Sequence, residues 1–309
     1  MVHSLFKQNL FIARASTIQA HKTKEDEKSY LGDQDSELAK QQKPLKIETP
    51  EQYHNKKISL FFGDTETDVN GDNHEILLSG VIDMDSKQSH ISDNFYETLC
   101  FIANKTNYIQ NDIDEEGEYI RNAIVYYHNL KYDKAIFEKS VYIRSSIEKA
   151  NSVYSFKCVF QGVSIQFIDS NKLLACGLSK FHKMFNLEFE KEGAIAYSFY
   201  KSGIACDTVS IHEYIKHLKQ NEIKSFIHKI TSNADFKYDP KTDTFDAMAY
   251  YRHYLNLDCL VLREGLKAFN ECVKNITKDR LSIFNHRINT AASLGHALAL
   301  INGCYDGVF

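Results

Sequence analysis

The sequence predicts an α/β protein in which a mixed sheet is flanked by helices. Short apolar runs that alternate with polar residues, with turn residues between them, recur across residues 58–169. Helical patterns, with apolar residues three and four positions apart, recur across residues 177–275. Further helical patterns fall between the strand-like runs, an order typical of a sheet whose faces are covered by helices.

Each predicted element follows from its local pattern. Residues 58–67 and 75–84 alternate on either side of turn residues, so they are predicted to form a hairpin. The other elements, in chain order, are a helix at 91–105, a strand at 123–128, a helix at 131–150, a second hairpin of 153–160 and 163–169 that turns at Gln161-Gly162, helices at 177–186, 211–230 and 245–275, and a loop at 232–243.

Composition limits the classes of function. The 309 residues, 43% of them hydrophobic, can bury one substantial core or two modest ones. A net charge of −4 gives no overall basic surface, so a nucleic acid would have to bind in a local groove. The seven cysteines include no Cys-x-x-Cys pair, which argues against zinc and disulfides and predicts a reducing compartment. No apolar run approaches the roughly 20 residues of a membrane span, so no membrane partner is expected.

Residues 1–57 are predicted to be a polar N-terminal arm. Residues 22–57 are dense in Lys, Glu, Asp and Gln and contain two of the three prolines. The first residues carry Arg14 and several hydroxyls but no acid before Glu25, so a mitochondrial targeting segment is the alternative interpretation.

The run ISLFFGDTET places two carboxylates at the end of an apolar, strand-like segment. Alternate side chains of a strand point to the same face, so Asp64 and Glu66 are expected to lie side by side. A divalent cation such as Mg²⁺, which prefers oxygen ligands, would offset their repulsion. The alternative is a strand that runs into the polar turn at 68–73 with both acids in water.

Two later segments supply further candidate residues. In AIVYYHNLKYDKAIFE, an apolar run leads to Asn129 and Asp133 at the start of a predicted helix. In AMAYYRHYLNLDCLVLREGLKAF, Tyr254 and Asp258 are four residues apart, so their side chains share one face of the predicted helix. Four acids and a tyrosine therefore occur in three separate segments.

At these residues the chain resembles the 3′-5′ exonuclease domain of family B DNA polymerases, particularly the protein-primed branch of phages, viruses and linear plasmids. DTET is similar to the first exonuclease motif of that family, HNLKYD to the second, and YLNLD, a Tyr-x-x-x-Asp, to the third. Three motifs in the family's order make the resemblance specific, and it covers roughly residues 58–275. It implies a ribonuclease H-like fold, with an exonuclease domain at 58–278.

The resemblance implies that two divalent ions, Mg²⁺ or Mn²⁺, support hydrolysis of phosphodiester bonds. Asp64, Glu66 and Asp258 would hold one ion, and Asp64 and Asp133 would hold the other. Tyr254 would orient the attacking water, because a phenol with a pKa near ~10 is a poor base at neutral pH but a good hydrogen-bond partner. These five residues are the predicted catalytic residues.

The resemblance also implies a binding site for the 3′ end of single-stranded DNA. The predicted DNA-binding residues are Asn129 and Tyr132 of the second motif, Ser170 in FIDSNKLL, and Lys191 in EKEGA. Asn171 departs from the pattern, because the family usually has leucine at that position.

His253 is a second candidate for the residue that orients water, since a sister branch of this nuclease superfamily uses a histidine five residues before the last acid. Five residues correspond to about 140° around a helix, whereas four correspond to about 40°. Tyr254 is therefore the preferred candidate, and His253 is interpreted as a solvated or capping residue.

The C-terminal residues resemble the passage from exonuclease to polymerase domain, so 279–309 are predicted to begin a truncated polymerase domain. The leading hypothesis is a fragment of a protein-primed DNA polymerase that proofreads during DNA replication, with a terminal primer protein as a candidate partner. The alternatives are a free-standing 3′-5′ exonuclease acting on DNA or RNA, and a catalytically silent nucleic-acid-binding or docking module. The expected location is the host cytoplasm for a phage or plasmid protein, and the mitochondrion for a mitochondrial linear plasmid.

Overall fold

The computed structural model describes most of the chain in seven stretches, namely residues 58–70, 73–106, 121–150, 152–191, 194–200, 208–284 and 288–304. The predicted N-terminal arm lies outside the described residues. The folded part divides into two compact units, and the division falls between Phe269 and Asn270.

The first unit is built on a seven-stranded mixed sheet. Its strands are β1 (Ser59–Asn70), β2 (Asn73–Asp83), β3 (Ser89–Ser92), β4 (Arg121–Tyr127), β5 (Ile143–Lys149), β6 (Ser152–Phe160) and β7 (Val163–Asp169). The strand order is β3-β2-β1-β4-β7-β6-β5. β1 is antiparallel to β2 and parallel to β4, and β4 is parallel to β7. The part β3-β2-β1-β4-β7 has the order and strand directions of a ribonuclease H-like sheet, so the predicted fold class is confirmed.

Helices flank this sheet, and a small second sheet accompanies them. The helices of the first unit are α1 (Phe95–Lys105), α2 (Lys131–Phe137), α3 (Phe181–Phe185), α4 (Ile211–Ile215), α5 (Gln220–Ser232) and residues 247–269 of the long α6 (Ala247–Thr277). Strands β8 (Val209–Ser210) and β9 (Thr244–Phe245) pair separately. Among the described helices, none combines the length and the apolar character that crossing a membrane requires.

Most of the predicted elements are present, but the helices predicted at 131–150, 177–186 and 211–230 are shorter or interrupted. The helix predicted at 131–150 ends at Phe137, and residues 143–149 form β5. That segment, IRSSIEK, contains two serines and two isoleucines, which favour helices weakly, and its backbone hydrogen-bonds to β6 instead. The helix predicted at 211–230 is interrupted and forms α4 and α5. The helix predicted at 177–186 is only the short α3, preceded by a 3₁₀ turn.

Both predicted hairpins are confirmed. β1 and β2 pair antiparallel, and β6 and β7 turn through Gln161 and Gly162, whose φ angles of 47° and 70° are left-handed. A two-residue turn with positive φ at both positions matches the twist of the strands on either side.

Two hydrophobic clusters hold helices against the sheet. One includes residues of α1 and α2, whose Phe95 and Phe137 rings stack with centroids 4.0 Å apart. The other packs Tyr250, Tyr254 and Leu255 of α6 together with Leu78 of β2. These contacts hold the middle of α6 beside the strands that precede it in the chain.

Gly63 permits a close approach between β1 and β4. A Cβ atom at this position would lie 2.7 Å from Cζ of Tyr127, far inside contact distance. Because Asp64 follows Gly63 and His128-Asn129 follow Tyr127, this approach brings the first and second motifs together.

The second unit is small. The side-chain oxygen of Asn270 accepts hydrogen bonds from the Ser282 hydroxyl (2.7 Å) and from the Ile283 amide (2.9 Å). Thr290 caps helix α7 (Ala291–Ile301) by accepting from the backbone amide of Ser293. The domain boundary at 278/279 stays a prediction.

Candidate active site

Three carboxylates from β1 and α6 form a compact cluster. Asp64 and Glu66 come from β1 and Asp258 from α6, and one oxygen of each lies within 4.8 Å of the others. Glu66 and Asp258 are buried, the latter only 1% exposed, whereas Asp64 is half-buried. The first and third motifs, far apart in sequence, therefore meet in space, and this group is called the acidic cluster.

Burial and mutual repulsion both disfavour the ionised forms of these acids. Burial, followed by the charges of Asp258, Glu66 and Asp133, raises the pKa of Asp64 well above the usual carboxyl range. Burial, then Asp258, raises the pKa of Glu66 to about 8. Without a cation, the acidic cluster holds protons that ordinary surface carboxyls would release.

Lys191 supplies the positive charge that the cluster contacts. Its ammonium group pairs with Oδ2 of Asp258, and Nζ lies 4.8 Å from the ring centroid of Tyr254. Burial alone would lower the pKa of Lys191, but Asp258 and Asp64 outweigh burial and raise it. One ammonium faces three carboxylates, so the fully ionised cluster still carries an excess of negative charge.

The acidic cluster fits a divalent cation. Oδ1 of Asp258 is buried and makes no hydrogen bond within the described part of the chain. The donor set consists of carboxylate oxygens, which are the ligands that Mg²⁺ and Mn²⁺ prefer. A cation bound among these anions would compensate the buried Oδ1 of Asp258, which lacks a hydrogen bond.

Asp133 lies beside the acidic cluster rather than within it. It occupies the first turn of α2, is buried, and accepts a hydrogen bond from the Thr65 hydroxyl. Burial raises the pKa of Asp133 to about 7, although the Thr65 hydrogen bond opposes the change. Its charge also raises the pKa of Asp64, so the two carboxylates interact electrostatically.

Tyrosines of α6 and of residues 194–200 line the acidic cluster. The hydroxyl of buried Tyr254 hydrogen-bonds to that of Tyr197, and the Tyr251 hydroxyl donates to Oε2 of Glu66 (3.1 Å). Burial and the Asp258 charge hold the pKa of Tyr254 far above its usual range, so this phenol stays protonated. The ring of His253 packs against Phe236, with centroids 5.2 Å apart.

The predicted DNA-binding residues differ in exposure. Asn129 is exposed and Tyr132 is 65% exposed, both close in sequence to Asp133. Ser170 is fully buried, and its hydroxyl hydrogen-bonds to Nδ1 of His128 (2.9 Å). A direct contact between Ser170 and DNA would require the residues that bury it to move aside. DNA binding by these residues stays a prediction.

Sequence reasoning missed three residues of the site. Tyr251 could have been found, because it lies seven residues before Asp258 and therefore about 20° from it around the helix. Thr65 stands between the two acids of the first motif, and its hydroxyl bonds to Asp133 of the second motif, a contact that the spacing of the acids does not indicate. Tyr197 lies in a segment without helical or strand periodicity, and nothing in the sequence indicates its contact with Tyr254.

A sequence model of DNA polymerase type B, organellar and viral, matches residues 117–299, more than half of the chain. The matched residues include Asp133, Lys191, Tyr254 and Asp258, whereas Asp64 and Glu66 precede the match. No curated protein sequence matches the chain.

Solved structures of phi29 DNA polymerase are similar to parts of the chain. An orthorhombic crystal form is 15% identical, with a TM-score of 0.41, and the match covers 70% of this chain and 31% of that one. The complex with primer-template DNA is 15% identical, with a TM-score of 0.36 and coverage of 72% and 36%. The complex with single-stranded DNA is 14% identical, with a TM-score of 0.36 and coverage of 74% and 35%. The chain thus spans about a third of the length of the polymerases it matches.

Proposed function

Because the chain belongs to the organellar and viral type B DNA polymerases, we propose that its residues 58–278 hydrolyse the terminal phosphodiester bond at the 3′ end of single-stranded DNA. Within a protein-primed polymerase this activity would remove misincorporated nucleotides during DNA replication. The observation that carries the proposal is the approach of Asp64, Glu66 and Asp258 to within 4.8 Å of one another.

The carboxylates are assigned to two divalent ions. Asp64, Glu66 and Asp258 would hold one, and Asp64 with Asp133 the other. Ions bound there would supply charge neutralisation of the scissile phosphate and activation of water. Lys191 supports the assignment, because its ammonium group pairs with Asp258 and limits the repulsion within the acidic cluster.

Tyr254 is assigned to orient the attacking water. Its hydroxyl is protonated at neutral pH and already hydrogen-bonds to Tyr197, so it can donate or accept but cannot remove a proton. The hydrogen bond from Tyr251 fixes the orientation of the Glu66 carboxylate. The Thr65 hydroxyl does the same for Asp133.

The exposed residues beside Asp133 are assigned to the DNA end. The ring of Tyr132 is 65% exposed and available to stack on a base. Asn129 offers an amide for hydrogen bonds to the terminal nucleotide. Neither contact selects deoxyribose over ribose, so the preference for DNA depends on the family membership.

The direct test is digestion of a 5′-labelled single-stranded oligonucleotide by the full chain with Mg²⁺. We expect products that shorten stepwise from the 3′ end, together with released nucleoside monophosphates. An RNA oligonucleotide of the same sequence separates a DNA enzyme from an exoribonuclease. Internal cleavage, or no digestion with either Mg²⁺ or Mn²⁺, would refute the proposal.

Tyr254→Phe is expected to lower kcat for DNA hydrolysis by about a hundredfold and to leave DNA binding intact. The substitution removes only the hydroxyl and keeps the ring beside Lys191. Initial rates over a range of DNA concentrations measure kcat and KM separately.

His253→Phe is the matched control, because it keeps a ring to pack on Phe236 while removing both nitrogens. We expect this variant to digest DNA at close to the unmodified rate. If His253→Phe lost more activity than Tyr254→Phe, the histidine would take the water-orienting role.

A further inference from the structure

We propose that Asp169 is a positioning residue for DNA binding, which fixes the turn at Asn129 against the turn at Asn171. The inference rests on the proposed function, because it concerns how the DNA-binding residues are held. It assigns a role to a buried carboxylate that neither binds the proposed ions nor contacts the scissile bond.

Strand register brings the two turns together. β4 and β7 are parallel neighbours, and Tyr127 at the end of β4 pairs with Asp169 at the end of β7. The turn at 128–130 follows β4, and the 3₁₀ turn at 170–172 follows β7. Carboxyl ends of adjacent parallel strands meet at one edge of a sheet, so both turns leave the sheet at the same place.

A single oxygen of Asp169 holds both turns. Oδ1 accepts from the backbone amide of Asn129 (2.9 Å) and from that of Asn171 (3.0 Å). The first bond joins residues 40 positions apart, and the second caps the 3₁₀ turn. The proposed function assigns Asn129 to the DNA end, and Asn171 follows Ser170, which the resemblance predicts to bind DNA.

The Asn129 backbone needs such an anchor. Its φ of 76° lies in the left-handed region, which a residue other than glycine adopts at a cost. Asparagine tolerates this conformation better than most residues, and the hydrogen bond to Asp169 offsets the remaining cost. Without the bond, the Asn129 side chain would sample other directions.

The carboxylate is suited to hold the amides. Asp169 is 0% exposed, and Nζ of Lys172 lies 3.4 Å from its Oδ2; this ion pair offsets the buried charge, although Oδ2 makes no hydrogen bond within the described residues. An ionised acceptor forms stronger hydrogen bonds with amides than a neutral one. Asparagine at this position could still accept through Oδ1, but more weakly.

A second link between the same segments allows the chain to fold without Asp169. Nε2 of His128 faces the carbonyl oxygen of Cys176 (2.9 Å), which can only accept, so that nitrogen carries the proton. Nδ1 therefore accepts from the Ser170 hydroxyl. Loss of Asp169 would loosen Asn129 while this link remains.

The test compares Asp169→Ala and Asp169→Asn with the unmodified full chain. The measurements are made in EDTA, where the DNA stays intact. Asp169→Ala is expected to raise the Kd for a fluorescent single-stranded oligonucleotide about tenfold, and Asp169→Asn is expected to raise it by a smaller factor. Amide hydrogen exchange at Asn129 and Asn171 should accelerate in Asp169→Ala. Because Asp169 acts through Asn129, the loss of binding in the double variant Asp169→Ala/Asn129→Ala should be smaller than the sum of the losses in the two single variants.

Asp239→Ala is the matched control, since Asp239 also accepts a backbone amide, that of Lys241, but in an exposed turn. It should leave the Kd unchanged. Unchanged exchange at Asn129, unchanged Kd in both Asp169 variants, or additive losses in the double variant would each overturn the positioning role.

The outcomes for Asp169 and for the proposed function can be told apart. If the chain binds single-stranded DNA but does not hydrolyse it, the proposed hydrolysis is refuted, and the Kd comparison still shows whether Asp169 positions the DNA-binding residues. A chain that binds no single-stranded DNA refutes both.

Discussion

Replacing Asp64 by asparagine is expected to slow Mg²⁺-dependent digestion of single-stranded DNA by about a thousandfold or more. Asp64 belongs to the acidic cluster and also interacts with Asp133, so it is the carboxylate assigned to both ions. A loss of about 4 kcal/mol of transition-state stabilisation, typical of the contribution of a metal ion, corresponds to this factor. Digestion of a labelled oligonucleotide under single-turnover conditions measures the ratio of the two rates.

Asparagine keeps the shape of the side chain and can still accept from the Thr65 amide, which donates to Oδ1 of Asp64 (3.0 Å). The control is Asp85→Asn, which neutralises an exposed carboxyl in the turn between β2 and β3. Equal digestion rates for Asp64→Asn and the unmodified chain would mean that the acidic cluster is not the catalytic site.

The metal-free protein is expected to lose stability as pH rises from about 5 to 8, and Mn²⁺ is expected to restore it. The pKa of Glu66 is raised to about 8 and that of Asp133 to about 7, whereas both titrate near ~4 in the unfolded chain. The native state therefore binds more protons over this interval, so its stability declines as they are lost. Melting temperatures in EDTA across this pH range measure the decline.

Mn²⁺ at about a hundred times its Kd would add ~2.7 kcal/mol, which corresponds to a rise of about 5–10 °C at pH 8. Asp64→Asn should melt at a temperature that depends less on pH, because one repelling anion is gone, and should gain less from Mn²⁺. A melting temperature that rises with pH in EDTA, or an equal gain from Mn²⁺ in the variant, would contradict the prediction.

Local patterns in the sequence predicted the elements that present the motifs. The alternation around DTET marked β1, and apolar spacing marked the helix that places Tyr254 and Asp258 on one face. Both patterns are strong because each element is long and packs apolar side chains into the core; β1 does so on both faces, since the neighbouring Phe61 and Phe62 are both buried. The helix predicted at 131–150 failed because β5 is mostly exposed and has little apolar periodicity, so only its pairing with β6 distinguishes it.

Contacts between segments could not be derived from local patterns. The resemblance alone indicated Lys191, whose ion pair with Asp258 depends on how the segment before residue 194 packs against α6. The contact of Tyr197 with Tyr254 also depends on packing, and so does the position of Asp133, which the Thr65 hydroxyl holds beside the acidic cluster rather than within it. Such distances depend on tertiary packing, which neither propensity nor spacing encodes.

Anomalous diffraction from crystals of the full chain soaked in MnCl₂ tests directly whether the acidic cluster binds metal. We expect one manganese peak in contact with Asp64, Glu66 and Asp258 and a second between Asp64 and Asp133. Crystals in which manganese binds only elsewhere, or in which these carboxylates stay free of metal at saturating concentration, would show that the cluster is not a metal-dependent nuclease site.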